Sequence, residues 1–202
     1  MKNRWYRDIF YDLYKIRHLR GIDTFYDLGA NIGVFAIYAR CLFPYARIIS
    51  VEALINNTLK MNSRIFGFII EDMVIGNGKA FYLEEGSCSM NHRFTEKTNC
   101  KDKFRSQTLG NLISKYHTED SSYMVKADIE GSEKYFIGDS VSEEFLYNAR
   151  QVSMEVHFGE KFGIEWRQYD RWISRLFIKH DVLYYKSNKN RGYGHYIIER
   201  KI

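Results

Sequence analysis

The sequence predicts an α/β fold: an open, mostly parallel sheet with helices on both faces and an antiparallel strand in a C-terminal hairpin. Three observations carry this. "DTFYDLG", "VFAIYARCLF" and "ARIISVEA" read strand, helix, strand within about thirty residues, and strands joined that way pair in parallel through a right-handed crossover. The alternation of strand and helix then continues down the chain. It closes on two extended segments, "VLYYKSN" and "GHYIIERKI", separated only by "KNRGY", which is a hairpin pattern.

Taken in order, Trp5, Ile9, Phe10, Leu13, Tyr14 and Ile16 recur near helical spacing ahead of Gly21, so a helix is expected over about 3–19. After the first strand–helix–strand unit, "NNTLKMNSRIF" reads as helix and "FIIEDMVI" as a third strand. "NGKAFYLEE" reads as a turn and an edge strand, flagged by its Asn-Gly. Periodicity fails from Glu85 to Phe104, a polar stretch longer than a routine connector and therefore a candidate functional loop. It returns with "LGNLISKY" as helix and "YMVKADIE" as strand. "EKYFIGDSVSEEFLYNA" is helical on either side of Gly138, "QVSMEVHF" is a strand, and "WRQYDRWISRLFIKH" is an amphipathic helix. Trp166, Tyr169 and Trp172 sit at helical spacing on it and are read as packing.

At 202 residues and 45% hydrophobic content the chain suits one core and one domain, over 1–202 with residues 1–22 as a helical lead-in. It equally fits a domain cut from a longer polypeptide. Thirty basic against 25 acidic side chains give a formal charge of +5 and a pI near 9.0, a mild excess spread along the chain rather than gathered into a nucleic-acid groove. Three cysteines without a C-x-x-C indicate neither a disulfide framework nor a zinc site. That usage fits a reducing, cytoplasmic setting. The N-terminal stretch alternates charged and aromatic residues and lacks the apolar run of a signal peptide or membrane span.

The turn "DLGANIG" stands at the carboxyl end of the first strand, where open α/β sheets bind ligands. Its glycines admit close backbone approach, and Asp27 and Asn31 add polar groups beside a helix N-terminus. The spacing is G-x-x-x-G, not that of a dinucleotide fold or a P-loop. Glu52 ends the second strand about twenty residues on, where an acid accepts hydrogen bonds from a ribose diol. An acidic turn followed by a ribose acid suits a cationic nucleoside, S-adenosylmethionine. Farther along, "KADIEGSE" and "SMEVHF" bring Asp128, Glu130, Glu133, Glu155 and His157 to the same rim of the sheet.

These motifs together resemble the FkbM-type family of S-adenosylmethionine-dependent methyltransferases. The family patterns D-x-G-A-N-x-G, K-x-D-x-E-G-x-E and x-E-x-H are matched by "DLGANIG", "KADIEGSE" and "MEVH", in family order, over roughly Asp23 to Phe158. Two departures stand out: "EAL" replaces the usual Glu-Pro after the second strand, and the polar stretch 85–104 aligns with no family signature. The resemblance implies a class I methyltransferase fold, Rossmann-like and seven-stranded. It also implies O-methylation, with sugars and secondary-metabolite scaffolds as family substrates. Carried over residue by residue, Asp27, Gly29, Ala30, Asn31 and Gly33 would line the methionine moiety and Glu52 would bind the ribose. Adenine would rest around Asp72 and Met73. Asp128 would meet the substrate hydroxyl or the cofactor's amino group, and Glu130 would order the crevice through backbone amides. Glu133 is read as a favourable acid in a helix's first turn.

The expected reaction is methyl transfer to a sugar hydroxyl, such as one on a deoxyhexose within a glycan, with S-adenosylhomocysteine as product. Alignment of nucleophile and methyl carbon can lower such a barrier by roughly 7–11 kcal/mol, and a hydroxyl also needs a base. His157 is the expected base, since an ordinary imidazole titrates near neutrality, with Glu155 or Asp128 orienting it or receiving the proton. His92 and His117 are lesser candidates. Asp128 and Glu155 could present oxygens to Mg²⁺, but no dedicated ligand spacing accompanies them, so no metal is expected. An RNA methyltransferase of the same fold is the alternative, disfavoured by the scattered basic residues. A silent nucleoside-binding module is a further one. No oligomeric state is specified.

Overall fold

The computed structural model describes residues 12–84, 93–96, 103–188 and 192–201. In chain order its elements are β1 (Thr24–Leu28), α1 (Val34–Leu42), β2 (Arg47–Val51), α2 (Asn57–Phe66), β3 (Ile69–Glu71), β4 (Val74–Ile75), β5 (Phe81–Glu84) and β6 (Arg93–Thr95). They continue with β7 (Lys103–Phe104), β8 (Ser106–Gln107), α3 (Leu109–Tyr116), β9 (Tyr123–Ala127), a 3-10 helix (Ser132–Tyr135) and α4 (Ser140–Asn148). The chain ends with β10 (Gln151–His157), a second 3-10 helix (Glu160–Phe162), α5 (Trp166–Lys179), β11 (His180–Asn188) and β12 (Tyr193–Arg200).

Seven strands form the main sheet in the order β11-β12-β10-β9-β1-β2-β3. β3, β2, β1, β9 and β10 run parallel, and β12 is antiparallel to both β10 and β11. This is the expected fold class. From β1 the chain order proceeds outward one way through β2 and β3 and the other way through β9 and β10, so the order reverses between β1 and β9. The alternation of side chains along the strands sorts the core into two layers. Phe25, Ile48 and Met124 meet Phe35, Ala36, Ala39 and Leu59 from α1 and α2 on one face. Tyr26, Ile49 and Val125 meet Leu112, Leu146, Trp172 and Leu176 from α3, α4 and α5 on the other. Helix starts follow local chemistry. Asn56 accepts from the Leu59 amide (2.9 Å), Thr108 from Asn111 (3.1 Å) and Asp139 from Ser142 (3.1 Å), each satisfying an amide that has no partner inside the helix. Tyr169 and Trp172 are buried, as the packing reading requires.

Three expectations are corrected. The helix foreseen over 3–19 is not helix over its described part, Asp12–Leu19, which is a succession of turns; residues 3–11 lie outside the described residues. Asp12 (φ 47°) and Lys15 (φ 53°) have left-handed backbone, and Asp12 Oδ1 accepts from the Ile16 amide (2.9 Å), the side-chain competition that diverts Asp from helix interiors. Ile16 and Leu19 are buried all the same, so the spacing marked core contact rather than helix. "FIIEDMVI" is not one strand: it breaks at Asp72, β3 staying on the main sheet while β4 pairs with β8. The strand in "NGKAFYLEE" is the centre of a separate three-stranded antiparallel sheet, β6-β5-β7, and the polar stretch contributes β6 and β7 to it. Among the described residues no helix is long and apolar enough to cross a membrane.

Candidate active site

The carboxyl ends of β1 and β9 lie side by side where the strand order reverses, the position at which such sheets open a crevice. The turn after β1 folds back on β2, with the Gly29 and Ala30 amides both donating to the Val51 carbonyl (2.9 and 3.0 Å). Gly29 has φ +78°, and a Cβ there would stand 1.9 Å from the Asp128 carbonyl oxygen, so the turns after β1 and β9 touch backbone to backbone. Gly33 (φ +83°) caps α1, and its missing Cβ leaves room for the Phe68 ring. Asn31 is itself left-handed, with φ 53°.

Side chains from the second strand and α2 hold this turn. Glu52 accepts from the Asn31 amide through Oε2 (2.8 Å) and from the Leu54 amide through Oε1 (2.9 Å). Asn56 Nδ2 donates to the Asn31 carbonyl (3.3 Å) and Asn62 Nδ2 to that of Ile32 (2.7 Å). Each Glu52 oxygen keeps lone-pair capacity beyond its one amide bond. Ala30 is buried in the layer beneath.

Asp27 is placed differently from the other turn residues. It is fully buried, in register with Lys126 across β1 and β9, with Oδ1 3.2 Å from the Lys126 ammonium. Neither carboxylate oxygen makes a hydrogen bond of normal geometry, so the contact is an ion pair. Lys126 Nζ also donates to the carbonyls of Gly29 (2.7 Å) and Leu28 (3.3 Å). Burial pushes the Asp27 carboxyl upward and Lys126 opposes it. Burial alone would lower the Lys126 ammonium, but Asp27, Tyr14 and Asp128 together outweigh this and hold it above its ordinary value. The pair thus braces the glycine turn from below.

Across the crevice, Glu130 (φ 51°) and Gly131 (φ 99°) bend the chain after β9. The fully buried Glu133 closes that bend: Oε1 accepts from the Ile129 amide (3.0 Å) and Oε2 from that of Gly131 (2.8 Å). Glu133 therefore does the ordering expected of Glu130. Its Oε1 also lies 3.4 Å from His157 Nδ1. On the other side of the ring, His157 Nε2 stands 3.5 Å from Glu130 Oε2 and 3.6 Å from Glu155 Oε1. Burial would lower the imidazole, but Glu133, Glu130 and Asp128 outweigh it and push His157 up to about 9. Burial raises Glu130, assisted by the charges of Asp128, Glu133 and Glu155 and opposed by His157, to about 7. Both shifts favour the protonated forms: the surrounding carboxylates favour an imidazolium at His157, and burial draws Glu130 toward its neutral acid.

One ligand atom each from Asp128, Glu130 and His157 lies within 4.8 Å of the other two. Those three groups have the proximity an ion needs, but carboxylates on both sides of the ring, one hydrogen-bonded at Nδ1 and two within ion-pair distance of Nε2, also suit a protonated imidazole. Asp72 and Met73 form the link from β3 to β4, Asp72 exposed and Met73 buried. Beside them Glu71 pairs with Lys115 (2.5 Å) and accepts from the Tyr116 hydroxyl. His117 bonds Ser121 Oγ (2.9 Å) near Tyr123 and Phe145, in the segment leading into β9. His92 lies outside the described residues. Sequence reasoning missed Lys126, Asn56 and Asn62 as site-builders and read Glu133, which it placed at the rim, only as a first-turn acid. A lysine inside the apolar strand "YMVKA" was the one signal available for Lys126.

No protein-family model and no curated protein matches the chain. Among solved structures it is similar to methyltransferase FkbM from Methylobacillus flagellatus, with 12% identity and a TM-score of 0.54, covering 90% of this chain and 45% of that one. The chain thus spans just under half the length of that protein. It is also similar to an rRNA methylase from Streptococcus thermophilus, with 9% identity and a TM-score of 0.51, covering 100% of this chain and 99% of that one. Both likenesses are of fold: the chain has the Rossmann-like architecture of these methyltransferases.

Proposed function

We propose that the chain is an S-adenosylmethionine-dependent O-methyltransferase acting on a sugar hydroxyl. The observation that carries this reading is the pairing, across one switch point, of a glycine turn held by Glu52 with a proton-handling cluster of Asp128, Glu130, Glu155 and His157. The turn supports that cofactor: Gly29 and Gly33 let it close against the Asp128 carbonyl and the Phe68 ring at the switch point, and Glu52 retains acceptor capacity for a ribose diol. Asp72 and Met73 would border the adenine. When bound, S-adenosylmethionine would supply an electrophilic methyl group on a sulfonium.

A hydroxyl is a poor nucleophile until its proton is taken, and a neutral amine needs no such help. A carboxyl poised near 7 in the crevice therefore favours a hydroxyl acceptor. In this reading Glu130 receives the proton, and His157, kept as imidazolium by Glu133, holds Glu130 and Glu155 in place and stabilises the ionised carboxylate. Asp128 and Glu155 accept hydrogen bonds from neighbouring hydroxyls. The carboxylates of the rim disfavour an acceptor that brings phosphates to the reacting centre, which supports a sugar over RNA. Transfer of a labelled methyl group to a panel of free sugars and glycosides, with structured RNA alongside, tests this. Methylation of a sugar hydroxyl is expected; transfer to RNA alone, or to an amine, would overturn the acceptor.

A further inference from the structure

The outermost strand of the main sheet carries a pattern that matches itself in reverse. β11 ends the strand order, so among the described residues no strand pairs with its outer side. It is nine residues long, and every residue from Asp181 to Lys186 is exposed. Within that run Val182, Leu183, Tyr184 and Tyr185 are 44, 40, 39 and 53% exposed. Exposed edges of this length are ordinarily shortened, covered or studded with charge, because their free backbone groups template pairing with another chain. β11 has only one acid and one base in its exposed run, at its two ends.

The register with β12 fixes which side chains share a face. Asp181, Tyr184 and Lys186 stand opposite Glu199, Ile197 and His195, alternate residues of β12, and so lie on one face. Val182 and Tyr185 stand opposite Ile198 and Tyr196 and lie on the other. Leu183 is the extra residue where the register shifts.

We propose that two copies of this chain associate by antiparallel pairing of β11 with β11 about a two-fold axis at Tyr184, joining their sheets into one continuous sheet. In that register, with Leu183 of each copy left out of the ladder as the bulged residue, Asp181 of each copy faces Lys186 of the other, Val182 faces Tyr185, and the two Tyr184 rings meet at the axis. Directly opposed residues fall on the same face in every pair, as an antiparallel ladder demands. The two-fold forms each ion pair and each apolar pair twice, the self-complementarity of an isologous interface. A strand from an unrelated protein has no reason to carry this reversed order of acid, apolar run and base, so a second copy is the occupant the charges select.

Sedimentation of the full chain over micromolar to submillimolar concentrations should give a dimer. Asp181→Lys alone and Lys186→Asp alone each set like charges opposite one another and should weaken it on the order of tenfold or more, about 1.4 kcal/mol. The double exchange Asp181→Lys with Lys186→Asp should return the wild-type association. Both positions are exposed, so circular dichroism and melting should match the wild type. Independently of any variant, amides of 181–186 in the wild type should lose hydrogen-exchange protection on dilution. A wild type that stays monomeric, single variants that dimerise as well as the wild type, or a double exchange that does not recover, each overturns the proposal.

Discussion

Among the side chains of the crevice, His157 and Glu130 set the pH behaviour. If Glu130 must be ionised and His157 protonated, turnover rises with pH through about 7 and falls through about 9, a bell whose two limbs belong to the coupled cluster. Were His157 the base, activity would instead climb through about 9 with no falling limb there, so the profile separates the two roles. Glu130→Gln should remove the lower limb together with most of the turnover, while affinity for S-adenosylhomocysteine stays near wild type. The same shifts act on stability. His157 is raised from its ordinary 6.5 to about 9, so its contribution is complete below 6.5 and lost as pH rises through about 9. Glu130, raised from 4.5 to about 7, also binds more protons in the native state, so stability falls with rising pH across that window as well. Thermal melts from pH 6 to 10 should show the decline between about 6.5 and 9, and His157→Gln should flatten it.

At the level of elements, the site depends on two turns pressed together and a buried pair beneath them. Gly29→Ala would drive a methyl group into the Asp128 carbonyl from a left-handed backbone, a strain of roughly 1–3 kcal/mol before the clash is counted. Chemical denaturation should register at least that loss. Removing one member of the Asp27–Lys126 pair leaves the other charge buried, at about 3–5 kcal/mol. Lys126→Met should therefore destabilise strongly, and Asp27→Leu in the same chain should recover much of the loss. The elements that sequence reading found include the parallel strands β1, β2, β9 and β10 and the strongly periodic α5 with its buried Tyr169, Trp172 and Leu176. It failed where local side-chain chemistry or pairing partners decide the outcome. Asp12 turns the chain out of a helix whose apolar spacing was sound, and β3 and β4 are separated at Asp72 because β8, thirty-odd residues away, supplies a competing ladder. The crevice residues were legible because strand ends and glycine turns place them. The upward shift of His157 was not, since it depends on Glu133 being buried against Nδ1, with Glu130 and Asp128 adding to it.

For the whole molecule, a parallel sheet with a switch point between β1 and β9 brings Glu52, the glycine turn and the Asp128–His157 cluster to one rim, although more than a hundred residues separate Glu52 from His157. The small sheet of β5, β6 and β7 stands beside that rim, with Phe81 against the Tyr135 ring (5.3 Å) and Tyr135 bonded to Glu96 (2.9 Å). Glu96, from the polar stretch that sequence reading left without periodicity, thus touches the 3-10 helix that follows the bend at Glu130 and Gly131. The central claim is that this rim binds S-adenosylmethionine through Glu52, and calorimetric titration with S-adenosylhomocysteine tests it most directly. Saturable binding to the wild type, weakened about tenfold or more in Glu52→Ala, or about 1.4 kcal/mol, is the predicted result. A folded wild type that does not bind, or a Glu52→Ala variant that binds equally well, would contradict it.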